Sequence, residues 1–364
     1  MDSLLNAHHR FLVVLVVCLV APVAAQEWPA GKSPIELGNK VAQDVLSRPM
    51  YHSYPDSCSW YGVLTFSEAT NNIQMRQRIE KAYEPYLIGD RIPRTGHVDH
   101  NLFGIVPFEL YRQTRDPKYL PIAKLLANEE WANPRKDGLT RYARFTADDP
   151  YMVGSLQAQA YKNTKDKKYA DRGSMFILAY LKKIQRPDGL IIYEERHPFT
   201  WGRGNGWTIG GITDTLLALP EDHPNRTKLM AAYRKQVDAL VKHQHSGGMW
   251  HQVIDMPDYY LESSGTGIFI YAIATGIKQR WLPEKPYREV VERAWLALSD
   301  YVDEEGRALN VSTGYIRKIG QSIDYFKEHG VHSKDLYPSK NPIGDYHGQA
   351  PVLWAATAMI RLEK

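Results

Sequence analysis

An internal repeat constrains this chain more than any other feature. The run Tyr111-Arg-Gln-Thr114-Arg-Asp116-Pro-Lys118-Tyr119 returns as Tyr161-Lys-Asn-Thr164-Lys-Asp166-Lys-Lys168-Tyr169, an offset of 50 residues. The same offset pairs Gly104 with Gly154 and Asp99 with Asp149. Each unit reads as an apolar helix, a polar Thr/Asp turn and an amphipathic helix. Ile122, Leu125 and Leu126 carry the three-and-four spacing in the first unit, and Met175, Leu178, Ala179 and Leu181 carry it in the second. Such a pair cannot bury its own apolar face, so it must stack on further copies.

Fainter units surround these two. Residues 60–69 with 73–86 precede them, and 207–219 with 227–243 and 267–275 with 287–302 follow. A last apolar helix over 351–362 finds its partner in the amino-terminal segment 35–46. Six inner helices are therefore predicted, beginning near residues 60, 99, 149, 205, 264 and 349. They are Gly/Ala-rich and apolar nearly all round, as burial on both sides demands. An open solenoid is one outcome of stacking. Six units and a terminal helix in need of a partner favour closure. The reading is one all-α domain, an (α/α)6 barrel of six helical hairpins over 26–364.

Residues 1–25 read as an export signal: His8, His9 and Arg10 precede the apolar run 11–20, with small residues Val23-Ala24-Ala25 before the cut. That run is too short to span a bilayer, and no later segment approaches a span. A secreted protein is expected, with no membrane partner. Cys18 leaves with the leader, so Cys58 remains alone and no intrachain disulfide forms. Asn225-Arg-Thr227 and Asn310-Val-Ser312 are potential glycosylation triplets. With 45 Lys+Arg against 41 Asp+Glu and no basic run, the charge gives no reason to expect nucleic acid.

In such a barrel the inner helices share one direction, so their amino termini converge at one mouth. Free backbone N–H groups and positive dipole ends there suit an anionic ligand. The loops entering these helices carry Trp60-Tyr61, His97-Val-Asp99-His100, Asp148-Asp149-Pro150-Tyr151-Met152, Trp201-Gly-Arg203-Gly-Asn205-Gly-Trp207, Glu262-Ser-Ser264 and Asp345-Tyr-His347-Gly-Gln349. Asp149 before Pro150 also reads as a helix cap, and Asp99 as another. Residues 202–206 match neither a dinucleotide fingerprint nor a phosphate loop, since Trp207 stands where Lys-Ser/Thr would follow. Two indoles around an arginine read instead as a sugar-ring platform beside a carboxylate clamp. His97, Asp99 and His100 lack metal-ligand spacing, so no metal or other cofactor is expected.

These motifs resemble the unsaturated glucuronyl and rhamnogalacturonyl hydrolases of glycoside hydrolase families 88 and 105, with the nearer likeness to family 105. The resemblance runs over 55–364 and is most specific at Asp148-Asp149-Pro-Tyr-Met, 201–207, Gly248-Met-Trp-His-Gln-Val-Ile-Asp255 and Glu262-Ser-Ser264. It implies Asp148 as acid/base and Asp99 as a second essential aspartate, with Trp201, Arg203 and Trp207 in the substrate pocket. Asp149, Tyr61, Tyr193 and His347 are further substrate-binding candidates. Thr146 stands where the family often has Trp, and Tyr193 where it has a pocket histidine. The internal repeat, by contrast, pairs Asp99 with Asp149 rather than Asp148.

The resemblance implies a 4,5-unsaturated uronic acid at the non-reducing end of a lyase-generated oligosaccharide as substrate. One aspartate would protonate the double bond and then, as base, activate water, provided it begins protonated. Two other readings stand beside this one: an (α/α)6-barrel glycosidase acting on saturated uronides or neutral sugars, and a non-catalytic secreted carbohydrate-binding protein.

Overall fold

The computed structural model describes residues 27–312 and 347–364. The expected leader, with Cys18, and the loop residues Asp345 and Tyr346 lie outside the described residues. Among those described, helices dominate. In chain order they are α1 (Pro34–Ser47), α2 (Tyr54–Thr70), α3 (Ile73–Leu87), α4 (Val98–Asn101), α5 (Ile105–Thr114), α6 (Leu120–Glu129), α7 (Asp149–Thr164), α8 (Lys167–Ile184), α9 (Gly202–Ala218), α10 (Arg226–Lys242), α11 (Ser263–Lys278), α12 (Glu284–Ser299) and α13 (Gln349–Glu363). The two-residue strands β1 (Trp250–His251) and β2 (Leu261–Glu262) pair antiparallel.

Six of these helices form a closed ring. α2 packs on α5, α5 on α7, α7 on α9, α9 on α11, α11 on α13, and α13 returns to α2. The outer helices α3, α6, α8, α10 and α12 each return along their inner partner, and α1 serves α13. This is the expected (α/α)6 barrel, including the amino-terminal helix recruited to complete the last hairpin. Inner helices α7, α9, α11 and α13 are buried along nearly their whole length, because they face neighbours on one side and the outer layer on the other. Close joints depend on glycine. A Cβ on Gly211 would lie 2.2 Å from the Pro150 carbonyl oxygen of α7, and one on Gly267 would lie 2.8 Å from Pro351 of α13.

The repeat is reproduced bond for bond. Thr114 and Thr164 each donate to a carbonyl four residues back at 2.7 Å. Each accepts the amide of Asp116 or Asp166 at 3.2 Å. Those aspartates in turn accept the amides of Lys118 and Lys168 at 3.1 Å. Arg115 and Lys165, between them, adopt the left-handed conformation that ends a helix, with φ of 60° and 59°.

One expected helix start is corrected, and one helix that starts where expected, at Val98, is discontinuous. The first inner helix begins at Tyr54, not near residue 60, because Ser53 accepts the Asp56 amide and Pro55 fits the first turn. The second is broken: α4 passes through a 3-10 turn at Leu102–Gly104 before α5. The side-chain amides of both glycosylation triplets are engaged within the chain, Asn225 with Ser174 at 3.0 Å and Asn310 with the Leu261 carbonyl at 3.5 Å. No helix among the described residues is long and apolar enough to cross a membrane.

Candidate active site

The inner-helix amino termini bring most of the marked residues to one mouth. Asp148 occupies the cap position of α7, but its backbone is helical and its side chain caps nothing. Its carbonyl accepts the Tyr151 amide at 3.1 Å, and the residue is partly exposed while Asp149 beside it is buried. Among the described residues nothing donates a hydrogen bond to the Asp148 carboxyl. Desolvation raises it to about 6, Arg144 and Arg203 pull it back, and the charges of Asp149 and Asp99 push it up. An acid so placed holds its proton in mildly acidic solution and gives it up near neutrality.

Asp149 has a different job. It is the first residue of α7, fully buried, and accepts from Arg144 Nε at 2.7 Å, from the Arg144 amide at 2.8 Å and from the Tyr180 hydroxyl. It neither caps the helix nor reaches the mouth, so the substrate-binding role expected of it is corrected to a supporting one. Asp99 does not cap either: His97 holds that position in α4, accepting the Asp99 amide at 3.2 Å. The Asp99 carboxylate instead takes Arg144 Nη1 and Nη2 at 3.2 and 3.1 Å. Arg144 therefore joins the two aspartates that the sequence repeat pairs. It had no motif to mark it, because it lies in the irregular stretch before α7.

Trp201 and Arg203 open the neighbouring inner helix, α9. The guanidinium lies 4.8 Å from the Trp201 ring, and Tyr193 meets the indole edge to face at 5.8 Å. Ser312 organises this wall. Its carbonyl accepts Arg203 Nη1, its hydroxyl accepts Trp201 Nε1 at 2.7 Å, and its amide donates to Glu262 Oε1 at 2.9 Å. Glu262 also caps α11 through the Ser264 and Gly265 amides, at 2.6 and 2.7 Å. Arg203 Nε is buried with no partner among the described residues, leaving the fork an uncommitted donor. Ser312 had been marked only as part of a glycosylation triplet.

Trp207 lies below the mouth as a floor, packed against Tyr54 and Tyr151 with centroids 6.2 and 5.0 Å away. The Tyr54 hydroxyl bonds His347 Nε2, which joins the starts of α2 and α13. Tyr61 is not there. Two turns into α2, it accepts Gln159 Nε2 at 2.8 Å and lines a separate cavity at the far end of the barrel, so its expected place in the mouth is corrected. Among the described residues no group of three or more His, Cys, Asp or Glu side chains could hold a metal ion.

A six-hairpin helical barrel that gathers two aspartates, a buried arginine and two indoles at its inner-helix starts fits a glycoside hydrolase of the (α/α)6 class. The family match shows that class. The model of glycosyl hydrolase family 88 matches residues 35–363, and the chain belongs to that family. It is 28% identical over 226 residues to an unsaturated 3S-rhamnoglycuronyl hydrolase of Alteromonas sp. (strain LOR), a match covering 59% of this chain but only 50% of that protein. It is 25% identical over 282 residues to an unsaturated rhamnogalacturonyl hydrolase of Bacillus subtilis (strain 168), covering 72% of this chain and 79% of that one. The fold superposes on a possible family 105 member from Salmonella enterica with a TM-score of 0.76, 22% identity and coverage of 96% and 99%. It also superposes on the unsaturated glucuronyl hydrolase of Bacillus sp. GL1, with a TM-score of 0.65, 16% identity and coverage of 91% and 96%.

Proposed function

We propose that this hydrolase removes a 4,5-unsaturated uronic acid from the non-reducing end of lyase-generated oligosaccharides by hydrating its double bond. One observation carries the reading: Asp148 has a free carboxyl, raised to about 6, beside the Arg144-bound Asp99. The ring of the substrate contains a vinyl ether, so no displacement at the anomeric carbon is needed. Asp148 protonates carbon 4, and positive charge builds on carbon 5 and the ring oxygen. The resulting carboxylate takes a proton from water as its oxygen bonds to carbon 5. The hemiketal so formed opens and releases the remaining saccharide. The Arg203 guanidinium charge draws the uronate carboxylate, Trp201 and Tyr193 wall the ring, and Asp99 positions the water.

The test is a panel of unsaturated disaccharides differing in the neighbouring sugar, followed by loss of the double bond's ultraviolet absorbance. Turnover by the parent and a fall of about 10³-fold or more in Asp148→Asn are expected. An enzyme inert on every unsaturated uronide but active on saturated ones overturns the reading. The leader pattern supports a secreted protein, checked by sequencing the amino terminus of exported material.

A further inference from the structure

The turn that leads into α7 is held against its local preference. Phe145 has a φ of 59°, in the left-handed region that a bulky side chain rarely adopts. The other non-glycine residues described with a positive φ are asparagines, arginines and a lysine. Arg115 and Lys165 take that conformation to end a helix, whereas Phe145 ends none. Strain of this kind persists only where the surroundings over-determine it, and it gathers at functional sites.

One residue of the outer layer supplies those surroundings. Tyr180 of α8 is fully buried. Its hydroxyl accepts the Phe145 amide at 3.0 Å and donates to Asp149 Oδ2. Its ring stacks on Phe145, with centroids 4.8 Å apart and planes 18° from parallel, and packs on Phe176 at 4.3 Å. Lys183 and Arg135 lie over the Phe145 ring at 4.4 and 5.3 Å. Two consecutive amides therefore converge on one place. That of Arg144 meets Asp149 Oδ2 at 2.8 Å, and that of Phe145 meets the phenol oxygen bonded to the same Oδ2. Burial and the Asp149 charge raise the phenol's pKa, so the hydroxyl keeps its proton.

The strained position stands between two groups that matter to the chemistry. Arg144 precedes it and grips Asp99, and Asp148 follows three residues on. Asp148 is faced by Arg144 and Asp149 from its own stretch, by Asp99 from α4 and by Arg203 from α9. Tyr180 has no hydrogen bond or ring contact with Asp148, Arg203 or Trp201 among the described residues.

We propose that, given Asp148 as the acid, Tyr180 is a positioning residue: its hydroxyl locks the Phe145 turn and thereby sets Arg144 between Asp99 and Asp149. Tyr180→Phe keeps both ring contacts and removes the oxygen. The Phe145 amide then loses its acceptor and Asp149 a donor. Arg144 loosens and Asp149 acts more strongly on Asp148, and both changes make Asp148 hold its proton to higher pH. The variant should melt cooperatively, with kcat lower by about tenfold or more and KM within about threefold of the parent's. The basic limb of kcat/KM should move to higher pH. In an Arg144→Gln background the same substitution should cost less than about threefold, because its route is already gone.

A measurement without substrate separates this role from the substrate class. The stability difference between Tyr180→Phe with and without Asp148→Asn, followed across pH, should show Asp148 titrating above its value in the parent pair. A parent inert on every unsaturated uronide overturns the substrate reading, while this titration still decides the role of Tyr180. An Asp148 titration that stays at the parent's value overturns the proposal. So does a fully multiplied loss in the Arg144→Gln background. A Tyr180→Phe without a cooperative transition overturns it too, because the hydroxyl would then belong to the fold and not to the site.

Discussion

The Arg144 guanidinium grips Asp99 with two hydrogen bonds, at 3.1 and 3.2 Å, while its Nε holds the buried Asp149. Asp99 is thereby fixed in place, while the Asp148 carboxyl accepts no hydrogen bond among the described residues and is raised by burial to about 6. The arginine also acts on Asp148 directly, because its charge lowers that carboxyl's affinity for a proton. Arg144→Gln removes the charge and leaves Asp149 and Asp99 unneutralised, so Asp148 titrates higher. The basic limb of kcat/KM should move to higher pH, with a fall in kcat of about 10²-fold. Arg144→Lys keeps the charge and loses the fork, so the limb should stay near the parent's while kcat still falls. A fall in kcat with the limb unmoved in both variants would show that Arg144 is merely structural.

Asp148 makes the fold less stable at neutral pH. Its carboxyl titrates at about 6 in the fold and near ~3.9 in an unfolded chain, so the folded state binds the proton more tightly. The penalty is absent below pH ~4, grows as pH rises, and is complete above the folded value. Asp148→Asn removes it. Despite losing activity, the variant should unfold at a higher temperature than the parent at pH 8 and at the same temperature at pH 4. The gain is on the order of 1–2 kcal/mol, discounted because the side chain is partly exposed.

A second carboxyl titrates close by without taking part in the chemistry proposed. Glu130 is fully buried, accepts Asn101 Nδ2 at 2.7 Å, and is pushed by burial up to about 7. Its penalty likewise appears as pH rises, here through about 7. Glu130→Gln can still accept the Asn101 bond and carries no charge. Denaturant unfolding of this variant should show a shallower decline in stability than the parent on approaching pH 7, keeping the part due to Asp148 and losing the part between about 6 and 7. The basic limb of kcat/KM should remain where Asp148 puts it. A limb that moves with Glu130→Gln would assign the acid to the wrong carboxyl.

The barrel was legible because its signal is local and repeated: the Thr114/Asp116 turn recurs as Thr164/Asp166 with the same bonds. The Asp148-Asp149 pair and Arg203 could be placed at helix starts from glycine, proline and aromatic punctuation. The preference for Asp148 over Asp149 rests on the family resemblance alone, since the repeat pairs Asp99 with Asp149. Registers finer than a turn were not legible. Placing α2 at residue 60 put Tyr61 at the mouth, whereas the helix capped by Ser53 starts six residues earlier and brings Tyr54 there. Arg144 and Ser312 lay in irregular stretches where no periodicity speaks. Their roles arise from partners such as Asp99, 45 residues away, and Trp201, 111 residues away. Asp149 and Asp148 are chemically identical neighbours, and burial together with the bonds from Arg144 and Tyr180 separates Asp149 from the proposed acid.

Arg203 divides binding from chemistry. One Nη is committed to the Ser312 carbonyl and the flat guanidinium lies over Trp201, leaving Nε without a partner. A uronate carboxylate meeting this group would be held equally in the ground and transition states, because that charge does not change as carbon 4 is protonated. Uniform binding of this kind appears in KM rather than kcat. Arg203→Lys retains a positive charge but supplies neither the fork nor the planar stack. KM for an unsaturated disaccharide should rise about tenfold or more while kcat changes by less than about threefold, read from initial rates. The same substitution removes one of the two arginines that hold Asp148 down only if the lysine ammonium withdraws from the mouth. An unchanged basic limb would show the ammonium in place, and an unchanged KM would show that the carboxylate binds elsewhere.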